Sequence, residues 1–278
     1  MARKLFCEIS PLTYKISIEK EILLRGIKNL FSREKIARTK DMELLPVSII
    51  EHNSLIRRRL HNVDQQLQEN KAKTLSIAAP LVSHVIVRPG ETFSFWELIG
   101  RPSYKKGYLD GLTITKGQVH AAMGGGICQF SNLIHWMVIH TDLDITEHWH
   151  HDSMDLFPDF NRQVPFGMGT SVCYNNLDYR FKNNTDKTYQ LIVYTDDEYL
   201  CGEIRSTEAL PFNVHIQEDE MYFYEKQDKV YRHNVIYRQV VDKKTGNVRE
   251  HKLLAEHDAE VLYDRNLIDP SNFRQYCG

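Results

Sequence analysis

The chain has 278 residues, 42% hydrophobic and 26% charged, and this ordinary globular composition argues against intrinsic disorder. A formal net charge of −2 lacks the basic excess of nucleic-acid-binding domains, so no nucleic-acid partner is expected. No apolar run reaches the roughly 18 residues that span a bilayer. The basic start of the chain lacks the uninterrupted apolar segment of a signal peptide. We therefore expect a soluble, cytoplasmic protein.

The cysteines indicate in which cellular compartment the protein works, and the basic residues indicate which partners it could bind. Five cysteines are widely spaced without a CxxC pair, which favours reduced thiols. Residues 1–74 carry 15 Lys and Arg against 9 Asp and Glu, a difference of +6. This excess predicts a solvated basic face and, as the alternative, a weak contact of the N-terminal region with a membrane surface or an anionic partner.

The N-terminal region, residues 1–79, is predicted to be helical. Within residues 18–40, apolar residues recur at helical spacing, which predicts one or two short helices. These residues are Leu23, Leu24, Ile27, Leu30 and Phe31. From about residue 53 to residue 85, apolar residues again lie three to four apart, which predicts one long amphipathic helix.

Strand-like sequence follows. Residues 84–87 form a β-branched run that ends at the turn-forming pair Pro89-Gly90. Four further strand-like runs are Ser171–Tyr174, Leu177–Phe181, Tyr189–Tyr194 and Leu200–Ile204. Residues 231–242 and 248–263 flank a glycine-containing turn and predict an antiparallel hairpin.

Together these patterns predict an α+β protein in three parts. The first is the helical N-terminal region, residues 1–79. The second is a mixed core, residues 80–207, in which a cysteine-bearing helix packs against an antiparallel sheet. The third is a strand-rich C-terminal extension, residues 208–278, that packs on the core.

Three glycines, Gly124, Gly125 and Gly126, stop where a helical stretch starts, and Cys128 falls in its first turn. Backbone N–H groups and the helix dipole favour negative charge there, which predicts a nucleophilic thiolate and an oxyanion site. Gln129 would add a side-chain donor to that site. Ser131 and Asn132 share the helix face of Cys128. The alternative is that Cys128 is a small buried residue and the glycines only permit close packing.

A catalytic thiolate needs a base, and histidines are concentrated in Glu147–Asp152. In an extended segment His148 and His150 face one way and His151 the other. His151 is the preferred base, with His148 or His150 as the alternative. A zinc site built from Cys128 and these histidines is a competing interpretation, and a solvated polar loop is the other.

Several motifs resemble the VanW family over roughly residues 80–207. They are Arg88–Trp96, Gly107–Leu112, Gly124–Asn132, Glu147–His151 and Leu177–Thr185. The resemblance implies an association with vancomycin resistance. It also makes Arg88, Glu91 and Trp96, with Gly124–Gly126, Ser131 and Asn132, candidates for substrate contact. Relatives have an Asp where this chain has Gly169, which leaves Asp152 or Asp178 to orient the base.

Two functions from different classes follow. One is a cysteine-dependent enzyme that transfers an acyl group or hydrolyses an amide in a cell-wall peptide or precursor, without a cofactor. The other is a non-enzymatic protein that binds a glycopeptide, a peptidoglycan precursor or a resistance enzyme. For a cytoplasmic protein, cytoplasmic precursors are the more consistent targets.

Overall fold

The computed structural model describes residues 5–58, 64–115, 118–150, 154–156, 158–159 and 163–275. Within these ranges the helices are α1 (Pro11–Phe31), α2 (Gln65–Val82), α3 (Phe95–Ile99) and α4 (Cys128–Val138). The strands are β1 (Lys35–Ile36), β2 (Val47–Leu55), β3 (Val85–Val87), β4 (Glu91–Ser94), β5 (Asp110–Thr115), β6 (Gln118–Met123), β7 (Asp144–Glu147), β8 (Met154–Asp155), β9 (Arg180–Lys182), β10 (Tyr189–Thr195), β11 (Tyr199–Ser206), β12 (Phe212–Lys226), β13 (Lys229–Asp242) and β14 (Val248–Val261). None of the helices in the described ranges is long and apolar enough to cross a membrane.

The central sheet is antiparallel and has the strand order β2-β11-β10-β3. Helix α4 packs against β2 and β11, and helix α2 packs against β10. The main core lies between these layers and includes Leu75 of α2, Phe130 of α4 and Leu191 of β10. The predicted α+β class, with a cysteine-bearing helix against an antiparallel sheet, is confirmed.

The predicted long helix over residues 53–85 is wrong in its first part. Residues up to Leu55 belong to β2, which pairs with β11 along its length. Helix α2 begins only at Gln65, where the side chain of Asp64 accepts a hydrogen bond from the backbone of Gln66. The cross-strand pairing of β2 therefore overrides its weak helical spacing.

The N-terminal helix is also longer than predicted. Helix α1 is one helix of 21 residues, not one or two short ones within residues 18–40. Ser10 caps it by accepting a hydrogen bond from Thr13, and Pro11 occupies its first position. Ser10 and Pro11 precede residues 18–40, the range whose apolar spacing carried the prediction, so the prediction placed the start of the helix too late.

Two further strand predictions need correction. Ser171–Tyr174 forms no strand, because Thr170 and Ser171 are held by hydrogen bonds to Asn132 and to the backbone of Trp149. Leu177–Phe181 contributes only the end of its run to β9. The hairpin of β5 and β6 was not predicted, because its alternation of apolar and polar residues is short and weak.

The C-terminal part is a long antiparallel sheet of β12, β13 and β14, with β8 added at its edge. It confirms the hairpin predicted between residues 231 and 263. Arg238 of β13 donates hydrogen bonds of 2.8 Å to the carbonyl groups of Ile139 and Thr141, just after α4. A small apolar cluster that includes Ile139 and Ile236 fills the same junction. The sheet therefore packs on the core beside the end of α4.

A third sheet has the order β1-β4-β9-β7. It carries Glu147 at the end of β7 and Arg180 at the start of β9, and both side chains form ion pairs with residues of the N-terminal segment, Arg25 and Glu34 respectively. This sheet is therefore where α1 is attached to the core.

Candidate functional site

The glycine turn before α4 is shaped by backbone contacts that exclude side chains. Gly124 and Gly126 have φ values of +74° and +87°, which disfavour other residues. A Cβ atom on Gly125 would lie 2.1 Å from the carbonyl oxygen of Gly111 in β5. The three glycines predicted to bind substrate therefore bring the β5–β6 hairpin against the start of α4.

Cys128 is the first residue of α4, as the sequence predicts, and its side chain is half-buried. The thiol donates a weak hydrogen bond of 3.9 Å to the carbonyl oxygen of Val172. Burial raises the pKa of this thiol, and backbone groups of Val172 and Cys128 offset the change only in part. The expected lowering of its pKa by the helix N-terminus is therefore wrong for the free protein, because the cost of desolvating the thiolate is larger.

Gln129 lies beside Cys128, but its amide is bound to strand β2. Its Nε2 atom donates to Ser54 Oγ and Leu55 O at 2.9 Å, and also contacts Ser54 O at 3.3 Å. In this conformation the amide proposed for the oxyanion site joins α4 to the end of β2.

Ser131 and Asn132 hold the segment that follows Gly169. Asn132 Oδ1 accepts a hydrogen bond of 2.6 Å from the backbone of Thr170. The hydroxyl of Thr170 contacts the hydroxyl of Ser131, which itself donates to the carbonyl group of Cys128 at 3.0 Å. These two side chains therefore position backbone next to Cys128.

The histidines form a stack with Tyr179. The rings of His135 and His148 are stacked with centroids 4.1 Å apart, and His150 lies 4.0 Å beyond His148. His135 Nδ1 is 3.2 Å from the hydroxyl of Tyr179. The Nε2 atoms of His135 and His148 are buried and have no hydrogen-bond partner among the described residues.

Burial lowers the pKa values of His135 and His148 and so favours their neutral forms. Desolvation and the neighbouring His150 lower the pKa of His148 to about 4. Desolvation, followed by His148, His150 and His140, lowers the pKa of His135 well below its usual value. In the part of the chain that is described, no histidine is among the groups that shift the pKa of Cys128. His151 and Asp152, the predicted base and its orienting carboxylate, lie outside the described residues.

A metal centre is not assembled in the described ranges, where no three His, Cys, Asp or Glu side chains are arranged to hold an ion. The zinc interpretation needs at least three protein ligands.

Two predicted substrate contacts, Glu91 and Trp96, are buried, whereas the side chain of the third, Arg88, is exposed. Glu91 is buried, accepts a hydrogen bond of 2.9 Å from the backbone of Arg88 and lies 3.0 Å from Lys35 Nζ. Trp96 is buried, and its indole N–H donates to Leu177 O at 2.9 Å. These contacts account for the Arg88–Trp96 motif through folding.

Asp178, one of the two carboxylates considered for orienting a base, is a buried hydrogen-bond acceptor. It accepts from the hydroxyl of Ser94 at 2.6 Å, from the backbone of Trp96 at 3.0 Å and from Arg180 Nε at 2.7 Å. The residue therefore joins α3 to β9.

Lys71 of α2 was missed by the sequence analysis. Only 8% of the residue is exposed, and its side chain crosses Gly126, where an added Cβ would lie 2.4 Å from Lys71 Cγ. Desolvation, followed by the nearby Arg58 and Arg57, lowers the pKa of Lys71 to about 7. No hydrogen bond or ion pair joins Lys71 to another residue in the described ranges.

A signal for Lys71 was present in the sequence. The residue lies four positions before Leu75 and seven before Ala78, so it belongs to the buried face of the helix. A lysine on an apolar helix face is unusual without a partner. Its position beside the glycine turn became apparent only from the fold.

Comparisons with known proteins agree with this description of the motifs. Residues 70–205 match the family described as VanW like protein. The chain is 30% identical over 227 residues to the vancomycin B-type resistance protein VanW of Enterococcus faecalis, covering 82% of each chain. It is also 30% identical over 118 residues to the uncharacterized protein YoaR of Bacillus subtilis, covering 41% of this chain and 36% of YoaR. No solved structure matches the fold. With this similarity over most of both chains, the protein belongs to the VanW family.

Proposed function

We propose that this protein acts in glycopeptide resistance by binding an anionic group of a cell-wall peptide or precursor at Lys71, beside the glycine turn. The observation that carries the proposal is that Lys71 is largely buried and has no hydrogen bond or ion pair with any described residue. The resistance context is that of the similar protein from Enterococcus faecalis, whose name assigns it to vancomycin resistance.

Only 8% of Lys71 is exposed, although its Nζ atom is not among the fully buried atoms without a partner. Removing most of a lysine from water without an opposite charge is costly, and a ligand that supplies that charge would offset the cost. Lys71 is held over Gly126, two residues before α4 begins. The start of α4 adds the positive end of an 11-residue helix. Arg57 and Arg58 increase the positive potential, since both lower the pKa of Lys71. An anion at this position would relieve their repulsion.

Cell-wall peptides and their precursors fit this chemistry because they carry carboxylates, including the one at the end of the peptide, and precursors also carry phosphates. The pKa of about 7 for Lys71 in the free protein implies that binding an anion draws a proton to the amine above neutral pH. Affinity is therefore expected to fall as the pH rises from 7 to 9.

Titration calorimetry tests the proposal. The probes are an acetylated peptide that ends in two D-alanines with a free carboxylate, the same peptide as its amide, and inorganic phosphate. We expect the carboxylate form to bind and Lys71→Met to weaken that binding at least about tenfold, the usual cost of removing one partner of a buried charge pair. Lys73→Met is the matched control, because Lys73 is exposed on the same helix.

Equal affinity of the wild type and Lys71→Met for the peptide contradicts the proposal, and so does equal affinity for the peptide and its amide. If the wild type binds phosphate but neither peptide, and Lys71→Met does not bind phosphate, the recognised group is the phosphate of a precursor and not the peptide carboxylate. Buffers with different ionisation enthalpies measure the proton uptake at pH 8 directly.

The second candidate function is acyl transfer or amide hydrolysis with Cys128 as nucleophile and His151, His148 or His150 as base. The observation that favours it is that Cys128 opens α4 next to the proposed anion site. Because burial raises the thiol pKa, this function requires that ligand binding lowers it. Iodoacetamide labelling of Cys128 should then be slow in the free protein and faster with the peptide bound.

A resistance assay with cells that carry Cys128→Ser or Lys71→Met separates the two functions, after folding of each variant is confirmed. Binding without thiol chemistry predicts loss of resistance only for Lys71→Met. Thiol chemistry predicts loss for both variants.

A further inference from the structure

Helix α1 is attached to the core by its polar side chains. Arg25 donates to both carboxylate oxygens of Glu147, with one distance of 3.1 Å. Asn29 donates to Glu97 at 2.9 Å and accepts from Arg180 at 2.9 Å. The polar face of this helix is therefore the one that contacts the rest of the protein.

The apolar face of α1 points away from the core. Leu12, Leu23 and Leu30 are 68%, 65% and 80% exposed, and Ile16 and Ile27 are exposed as well. At 100° per residue these five side chains fall within an arc of about 60°. We call them the apolar stripe, which runs along a 21-residue helix and so extends about 30 Å.

The stripe continues into the turn before the helix, where Leu5, Phe6 and Ile9 are exposed. No residue of α1 is buried. Contiguous exposed apolar surface of this extent marks an interaction site, since single scattered apolar residues are the rule on free surfaces.

The charges beside the stripe indicate its partner. Lys15, Lys20 and Lys28 are exposed along the helix. Of the acidic residues in α1, Glu19 is paired with Arg101 and Glu21 lies 3.6 Å from Lys20. Three other basic residues of this segment, Arg25, Lys35 and Arg38, are paired with carboxylates of the core, so the exposed lysines supply the positive charge beside the stripe. Amphipathic helices with lysines beside a narrow apolar face are typical of helices that lie in the surface of an anionic membrane.

We propose that the apolar stripe of α1 inserts into the surface of an anionic lipid bilayer and holds the protein there. The helix is not apolar enough to cross the bilayer, which fits an orientation along its surface. A second copy of the chain suits the stripe less well. In a twofold antiparallel pair Lys20, near the middle of the helix, would meet its own copy, whereas lipid phosphates would pair with it.

Co-sedimentation of the full chain with vesicles tests this proposal independently of ligand binding at Lys71. Vesicles contain phosphatidylglycerol and phosphatidylcholine in equal parts, or phosphatidylcholine alone. We expect binding to the anionic vesicles, reduced at least about tenfold by Leu23→Gln with Leu30→Gln, because each leucine loses its transfer out of water. Leu253→Gln is the control, since Leu253 is exposed on β14.

Lys20→Gln with Lys28→Gln should weaken binding to anionic vesicles by about fivefold per lysine. Binding to neutral vesicles should not change. The proposal is overturned if the wild type stays in the supernatant with both vesicle types, or if the leucine variant sediments like the wild type. It is also overturned if sedimentation velocity finds a dimer that the leucine variant dissociates, while vesicle binding is absent. That result would assign the stripe to a second copy.

Discussion

Helices α1 and α2 are both amphipathic, but they present opposite faces to the rest of the protein. Helix α2 buries Leu75, Ala78 and Ala79 in the main core, as a surface helix normally does. Helix α1 contacts the core through Arg25 and Asn29 and leaves its leucines exposed. Helix α2 thus buries a lysine, a residue type that is usually exposed, and helix α1 exposes leucines, which are usually buried.

These exceptions point to two kinds of partner. Among the described residues, the largely buried Lys71 of α2 has no opposite charge, which the proposed anionic ligand would supply. The exposed apolar stripe of α1 lacks an apolar covering, which a lipid surface would supply. The comparison separates the proposed ligand site, which lies within the family match at residues 70–205, from the proposed attachment surface, which lies outside it.

The largest expected effect comes from the polar attachment of α1. Arg25→Met removes one partner of a mostly buried ion pair and leaves Glu147 with Arg180, 3.7 Å away, as its cation, which should lower the free energy of unfolding by about 3 kcal/mol. Urea denaturation measures this loss, and chymotrypsin should cleave α1 more readily. Lys28→Met, an exposed position on the same helix, should change neither quantity by much. If Arg25→Met is as stable as Lys28→Met, the polar face does not hold α1 in place.

The next largest effect is expected at the glycine turn. Gly126→Ala forces a non-glycine residue to φ +87° and places a Cβ 2.4 Å from Lys71 Cγ, which should cost about 2–3 kcal/mol. Combining it with Lys71→Ala should restore part of the loss, since the conflicts with Cγ and Cδ disappear, while the 2.9 Å approach to Cβ and the backbone strain stay. Additive effects in this double-mutant cycle would contradict the contact between Lys71 and the turn.

A smaller effect concerns the pH dependence of stability. The folded-state pKa of Lys71, about 7, lies below the unfolded value, so the unfolded chain binds more protons above pH 7. The contribution of Lys71 to stability therefore rises with pH above 7, by at most about 1.4 kcal/mol per pH unit. Urea midpoints of the wild type and Lys71→Met at pH 6 and pH 8 measure this difference. Parallel pH profiles for the two proteins would contradict the lowered pKa.

The smallest effect is expected at Gly26, a half-buried position of α1. A Cβ added at Gly26 meets nothing within 4 Å, so Gly26→Ala should stabilise the helix by about 0.5–1 kcal/mol. Thermal unfolding is the measurement. Destabilisation by Gly26→Ala would indicate that the residue contacts a partner or the core, in contrast with the open surface described above.

Much of the fold could be predicted from the periodicity of apolar residues. The elements that could not be predicted depend on pairing between segments distant in the sequence. The C-terminal hairpin and the start of α4 at Cys128 were predicted because a turn glycine and helical spacing are local signals. The end of strand β2, from about residue 53, was predicted as helix, since its pairing with β11 is invisible in the local pattern.

In the candidate site, too, the local features were predictable from the sequence and the tertiary contacts were not. The glycine turn and the position of Cys128 were predicted, but the raised pKa of the thiol depends on burial by segments distant in sequence. The contact between Lys71 and Gly126 joins residues 55 positions apart. Only the fold brings them together, although a lysine on the apolar face of α2 was visible in the sequence.

The most direct test of the anion site is to titrate Lys71 itself by NMR in protein labelled with carbon-13 at lysine Cε, with the signal assigned by Lys71→Met. We predict a pKa near 7 in the free protein. The peptide that ends in a free D-alanine carboxylate should raise this pKa by at least one unit, and its amide should leave it unchanged. A pKa near that of an ordinary lysine in the free protein, or no change with the peptide, would contradict the account.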